Sequence, residues 1–158
     1  MFRSPLRVNQ RLSEESCDSV LEKALRGVLA LNGEDGFPYA LPINFYYDKT
    51  AKKIYFHCGK VGYKLDCINA NKKASFTAQD QGERRDGEWW LTFQSVIAFG
   101  EVEPVTDKAV VERISRKLSD KFTSDKAYVD KEVEKYLDST VLLVFSIMHM
   151  TGKTVREK

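Results

Sequence analysis

No apolar run in this chain approaches the ~18 residues that a membrane-spanning helix requires, and its start, MFRSPLRVNQ, lacks the apolar centre of a signal peptide. A cytoplasmic protein is therefore expected. An excess of one charge is missing too. Lys plus Arg number 25 and Asp plus Glu 23, a net charge of +2 over 158 residues, which offers neither nucleic acid nor a membrane surface an electrostatic footing. The three cysteines, Cys17, Cys58 and Cys67, show no Cys-x-x-Cys spacing, and the histidines are His57 and His149 alone. These counts argue against a disulfide framework, a zinc knuckle or a histidine-rich metal site, and leave reduced, mostly buried thiols as the expectation. No Gly-x-Gly-x-x-Gly occurs. TGKT at 151–154 comes nearest to a phosphate loop, but Ile147 stands where the leading glycine belongs and no helix pattern follows, so neither a nucleoside triphosphate site nor a Rossmann site is expected.

The length suits one domain spanning 1–158, large enough for a real core. Ser13, followed by Glu14 and Glu15, reads as a helix start, and Cys17, Val20, Leu21, Ala24 and Leu25 recur at helical spacing. GVLALN, a turn GEDG and FPYALPINFYY read as a hairpin of two half-buried strands, and Ile54 to Cys58 as a third strand after the turn DKTAKK. A short helix near Val61 to Ala70 leads into KASFTAQ, a fourth strand, then into a polar loop, QGERRDGE, expected to be the most mobile segment. WWLTFQSVIAFGEVEPV is a long strand or a pair. Asp107 can cap a helix carrying Val110, Val111, Ile114, Leu118 and Phe122, and Val129, Val133 and Leu137 mark a second helix on the same connection. TVLLVFSIM then reads as a strand buried on both faces, followed by a basic tail. Strands in hairpin order with few helices predict a mainly β fold with peripheral helices, an antiparallel barrel or sandwich rather than a doubly wound sheet.

IYFHCGKVGYKLD, from Ile54 to Asp66, changes halfway from strand to glycine loop to helix, and Lys64 falls in the first helical turn. A cation there opposes the positive end of the helix dipole at a cost of about 0.3–1 kcal/mol unless an anion lies between them. Free N–H groups, glycines and a point charge are the parts of a phosphate site. Turn geometry and an ordinary surface lysine account for the same residues, so this stretch alone leaves both readings open. Pro42 cannot donate to a ladder, which makes its strand an edge or bulged. Backbone from Ala40 to Asn44 is then free to bond a flat heterocycle, with Asn44 adding a donor and an acceptor; an edge merely blunted against aggregation is the other reading. Ser95 falls in step with Trp89, Leu91, Phe93 and Ile97 on an otherwise apolar face, where a lone buried serine usually bonds nearby backbone.

In order, and over Leu12 to Lys153, PYALPINFYY, IYFHCGKVGYK, FQSVIAFGEVEPVTD and the final TGK resemble the nitroimidazole-resistance branch of the pyridoxamine 5'-phosphate oxidase-like flavoproteins. That family is an antiparallel split β-barrel homodimer with FMN at the subunit interface. The resemblance implies that Ala40, Leu41, Pro42, Ile43 and Asn44 line the isoalloxazine edge. It puts His57, Cys58, Gly59, Gly62 and Lys64 around the phosphate end, with Lys64 neutralising the phosphate, and Ser95 and Val96 nearby as the family's Ser-Val element. His57 matches the histidine that this branch holds near the flavin's reactive region, which implies a catalytic role; packing beside Tyr55 and helping to hold the phosphate is the other reading. Cys58 stands where serine or alanine is more usual, which would expose the site to oxidation. The C-terminus lacks the Arg-Leu-Pro element of true pyridoxamine phosphate oxidases, so vitamin B6 oxidation is not carried over, and Gln81 to Glu88 reshape the mouth of the pocket. The implied function is an FMN-dependent oxidoreductase acting on a small planar acceptor, a nitroimidazole-type nitroaromatic being one. Its rivals are a flavin-binding redox sensor or store without turnover and a haem-handling split barrel with His57 or His149 as axial ligand. No metal site is expected.

Overall fold

The computed structural model describes residue 2 and residues 7–156. Most of the first six residues and the last two of the expected basic tail lie outside the described residues. Helix α1 (Glu14–Lys23) starts where the sequence places it: the Ser13 hydroxyl accepts from the Ser16 N–H at 3.1 Å, Glu14 and Glu15 sit at the positive end, and Cys17, Val20 and Leu21 are buried. The strands are β1 (Arg26–Asn32), β2 (Pro38–Asn44), β3 (Tyr46–Asp48), β4 (Lys53–Cys58), β5 (Lys73–Gln79), β6 (Thr92–Val105) and β7 (Val141–Arg156). Helix α2 (Tyr63–Ala70) joins β4 to β5, and α3 (Lys108–Ser119) with α4 (Lys126–Tyr136) forms the long connection from β6 to β7. Among the described residues no helix is long and apolar enough to cross a membrane.

FPYALPINFYY is not one strand. It breaks at Phe45 into β2 and β3, which lie at opposite ends of a seven-stranded antiparallel sheet ordered β2-β1-β5-β6-β7-β4-β3. A single residue thus links the two edges, and the sheet has to curl until they approach, which makes it a split barrel. Phe45 is fully buried at that seam, edge-on to Phe76 with ring centroids 4.8 Å apart. The inward residues Tyr39, Leu41, Ile43, Phe45 and Tyr47 keep their period of two straight through the break. Alternation therefore carries no mark of the change of partner strand.

The face of β6 that carries Ser95 also corrects the sequence expectation. Val96, Ala98 and Val102 are the residues fully buried in the barrel, while Ser95 points the other way with Ile97 (42% exposed) and Phe99 (37%). Both faces are apolar, so alternation gives the period but not the sign; the narrow barrel takes the smaller set inside. Opposite the bulge at Phe99/Gly100, a Cβ on Gly100 would lie 2.0 Å from the Ser146 carbonyl oxygen, so only glycine fits there. Strand β7 is longer than TVLLVFSIM: TGKT and most of the supposed tail are paired strand, with Lys153 opposite Ser95. Its first half is buried on both faces, Leu143 and Phe145 in the barrel and Leu142 under α3 with Val111 and Ile114.

Lys121, just beyond α3, reaches across the seam. Its Nζ donates to the carbonyls of Ala24 (2.6 Å) and Phe45 (3.1 Å) and lies 4.2 Å from the Phe45 ring centroid. No carboxylate pairs with it among the described residues, and burial pushes its pKa down to about 8. A folded pKa below the unfolded one means that the cost of the charge is fully present below pH 8 and is relieved as pH rises toward 10.5. Urea midpoints are expected to climb from pH 7.5 toward pH 10 in the wild type, and Lys121→Met should flatten that climb; a climb unchanged in the variant would show that another group produces it.

Candidate functional site

Strand β4 delivers His57 and Cys58 to the rim of the barrel, and the loop after it carries Gly59 and Gly62. Gly62 is the N-cap of α2 with φ of +135°, a conformation that a side chain would strain, and no side chain caps the helix. The helix begins at Tyr63 rather than Val61, which is 90% exposed in the loop and outside the periodic pattern. Lys64 is nonetheless in the first turn, half-buried. The first turn holds one acid, Asp66, beside Lys64, and no side chain caps it, so its first N–H groups are left without a side-chain acceptor. A Cβ built on Gly59 or Gly62 meets nothing within 4 Å, so their backbone is open to a ligand. The Tyr63 hydroxyl accepts from the Glu34 N–H at 2.9 Å and its ring meets Tyr39 edge-on at 5.0 Å. The tip of the β1–β2 hairpin is thereby tied to the start of α2.

Strand β2 is an edge, as Pro42 predicts, paired only with β1. Ala40 and Pro42 are exposed on its outward face, whereas Leu41 and Ile43 pack against the barrel core. Asn44 Oδ1 accepts from Arg26 Nε at 2.9 Å. Arg26, Pro42, Ile43, Asn44 and His57 enclose a cleft of ≈270 Å³. His57 also walls a second cavity of ≈460 Å³, with Cys58 and Gly59, beneath α3 and α4. The sequence reading missed Arg26; its place opposite Asn44 in the β1–β2 register was the signal. Neither Ser95 nor Val96 lines the cleft. Val96 is fully inside the barrel, its carbonyl accepting from the Thr77 hydroxyl at 2.8 Å, so its side chain is closed to any ligand, and Ser95 lies between Gln79 and Lys153 on the outer face.

His57 keeps a solvent-exposed face, yet the two cavity walls desolvate its ring and Lys64 adds a positive neighbour. Both hold its pKa below the ordinary 6.5, so the imidazole is neutral at pH 7. Burial pushes the Cys58 thiol up, against an opposing pull from Lys64. It stays a thiol rather than a thiolate, which removes the sequence-based reason to expect easy oxidation. Among the described residues no group of three or more His, Cys, Asp or Glu is placed to hold a metal ion.

A curled antiparallel sheet with an edge strand and a histidine lining one cleft at its rim defines the class: a split barrel with a candidate site there. A family model for pyridoxamine 5'-phosphate oxidase matches residues 13–154, and the chain belongs to that family. Among solved structures it is similar to a proposed 5-nitroimidazole antibiotic resistance protein from Bacteroides thetaiotaomicron, with a TM-score of 0.77 and 18% identity over 91% of this chain and 86% of that one. A conserved hypothetical protein from Mycobacterium tuberculosis gives 0.78 and 18% over 95% and 90%. The FAD and heme binding protein from Mycobacterium smegmatis gives 0.72 and 22% over 94% and 74%. At these identities the likeness is one of fold. No curated protein matches the chain by sequence.

Proposed function

We propose that the protein is an FMN-dependent oxidoreductase that reduces a small planar acceptor of the nitroimidazole type. The observation that carries this reading is the uncapped start of α2, whose Lys64 is near enough to act electrostatically on His57, the histidine that lines a cleft with Pro42, Ile43 and Asn44. The residues present fit a flavin monophosphate. Lys64 and the first N–H groups of α2 hold the phosphate, and the edge of β2 with Asn44, oriented by Arg26, holds the ring edge. The flavin supplies the redox chemistry. His57 presents its imidazole toward the acceptor, to hydrogen-bond it when neutral or, in the fraction that is protonated, to pass it a proton. The Bacteroides protein named for nitroimidazole resistance supports the acceptor class, and the mycobacterial protein named for FAD supports a flavin. One phosphate-sized anchor favours FMN over the dinucleotide.

The outward Ile97 and Phe99 form an apolar face on β6 that a second copy of the chain would cover, and a homodimer with the flavin at its interface follows. Sedimentation at micromolar concentration checks it: a monomer with flavin still bound removes this part of the reading.

Titrating the protein with FMN and riboflavin, followed by flavin absorbance, tests the core of the proposal. About one FMN should bind per chain, far more tightly than riboflavin, and Lys64→Ala should weaken FMN by about 1.5–3 kcal/mol, as expected for a hydrogen bond to a charged group. Equal affinities for the two flavins would overturn the phosphate site, and binding of neither would overturn the function. A protein that binds FMN but turns over with no electron donor would be a redox sensor or store. A haem-binding reading leans on His149, whose Nε2 is buried without a partner among the described residues, and a Soret band on adding haem tests it.

A further inference from the structure

Tyr128, Glu132 and Tyr136 recur every four residues along α4, so they share one face of the helix, and all three line the ≈460 Å³ cavity beneath α3 and α4. A cavity of that size suits a molecule of one or two rings. Its other walls are largely apolar or already engaged: the Ser119 hydroxyl donates to the Ser115 carbonyl, and those of Ser139 and Thr140 donate to the Tyr136 carbonyl. Besides the tyrosine hydroxyls, His57 and Cys58, the polar groups of the lining include Ser115 and Glu132. Ser115 Oγ is buried with no partner among the described residues, and the Glu132 carboxylate, which also acts electrostatically on Lys135, is in no salt bridge among them. Glu132 is the one formally charged side chain of the lining, since His57 is neutral at pH 7. The smaller cleft on the other side of His57 has the opposite sign, with Arg26 in its wall.

We propose that this cavity is a second ligand site, built for a small, flat, positively charged aromatic molecule such as an amidinium- or imidazolium-bearing ring. Glu132 pairs with the charge, and the electron-rich face of a tyrosine attracts it further. The Tyr136 ring already carries its chain neighbour Lys135 at 4.6 Å, which leaves Tyr128 as the ring open to a ligand. Ser115 Oγ offers a hydroxyl to a ring nitrogen or amide at the closed end. Where flavin fills the smaller cleft, the reading on which this last step rests, the shared wall at His57 sets the cavity beside the flavin, and Glu132 makes it select cationic heteroaromatics over carboxylates and phosphates.

Calorimetric titration with benzamidinium, benzamide and benzoate, which share a shape and differ in charge, tests the site without turnover. Benzamidinium should bind at millimolar concentration or better and ~10-fold or more tightly than benzamide, as a charge-assisted contact implies, with benzoate weakest. Glu132→Gln should bring the cation down to parity with benzamide while benzamide itself still binds, and Tyr128→Leu should weaken the cation alone. Absence of binding by all three, benzoate equal to benzamidinium, or a cation preference unchanged in Glu132→Gln would each overturn the proposal. The series is run with and without FMN. A cation preference without FMN binding would sink only the flavin reading, and FMN binding without the preference would sink only this one.

Discussion

Asp18→Ala is expected to lower the free energy of unfolding by about 3 kcal/mol, at the low end of what breaking a buried ion pair costs. The Asp18 carboxylate is 3% exposed, accepts from the Tyr47 hydroxyl at 2.6 Å, and takes Lys52 Nζ at 2.9 Å on both oxygens. It joins α1 to β3 and to the β3–β4 turn, two residues past the Phe45 seam that closes the barrel. Its loss strands the hydroxyl of buried Tyr47 and removes the anchor of Lys52, a non-glycine residue held at φ of +52°. Lys52 keeps Glu14 at 2.8 Å and a partly wet side chain, which is why the upper end of the range is not expected.

The same network sets an alkaline limit. Burial and then the bond to Asp18 raise the Tyr47 pKa; burial alone would lower that of Lys52, but its bonds to Asp18 and Glu14 outweigh it and raise it. Groups with raised folded pKa values contribute stability that is fully present below their unfolded values near pH 10 and is lost above. Urea denaturation at pH 7 measures the main effect. A loss below about 1 kcal/mol, the size typical of an exposed pair, would mean that the network contributes only as surface charge does.

What the sequence made legible follows from how local each signal is. The Ser13 cap, the Asp107 cap, KASFTAQ and the double burial of VLLVF within TVLLVFSIM each depend on neighbours within a turn or a strand, and each stands where expected, whereas Ser146 and Met148 are exposed. Pro42 marked an edge because its missing donor is a property of one residue. The break at Phe45, the inner face of β6 and the pairing of Arg26 with Asn44 depend instead on which strand lies alongside, and a period of two is blind to that. Within the site, His57, Pro42, Ile43 and Asn44 do meet in one cleft, and Gly62 caps the helix whose Lys64 acts electrostatically on His57. The cavity under α3 and α4 was out of reach, since Tyr128, Glu132 and Tyr136 read as an ordinary exposed helix face until the helix is placed over Cys58.

His57→Ala is expected to slow oxidation of pre-reduced flavin by a nitroimidazole by ~100-fold or more, the usual contribution of a positioned proton donor, while FMN affinity stays within about tenfold. The two effects separate because His57 walls both cavities, whereas the proposed phosphate contact rests on Lys64 and the start of α2. Desolvation and Lys64 keep the imidazole neutral at pH 7, so the protonated form that serves as an acid fills only as pH falls below the ordinary 6.5. The wild-type rate should therefore rise on acidification through that region and level off below the lowered pKa, and the rise should be absent in His57→Ala. Rapid mixing after dithionite reduction isolates this step without knowledge of the natural electron donor. Lys64→Ala supplies the contrast: it should weaken FMN and leave the rate of the bound fraction near wild type, with its acid rise shifted upward because the positive neighbour that lowers the His57 pKa is gone. Equal oxidation rates in wild type and His57→Ala, with FMN weakened instead, would make His57 a cofactor-binding residue and leave the acceptor side without its proton donor.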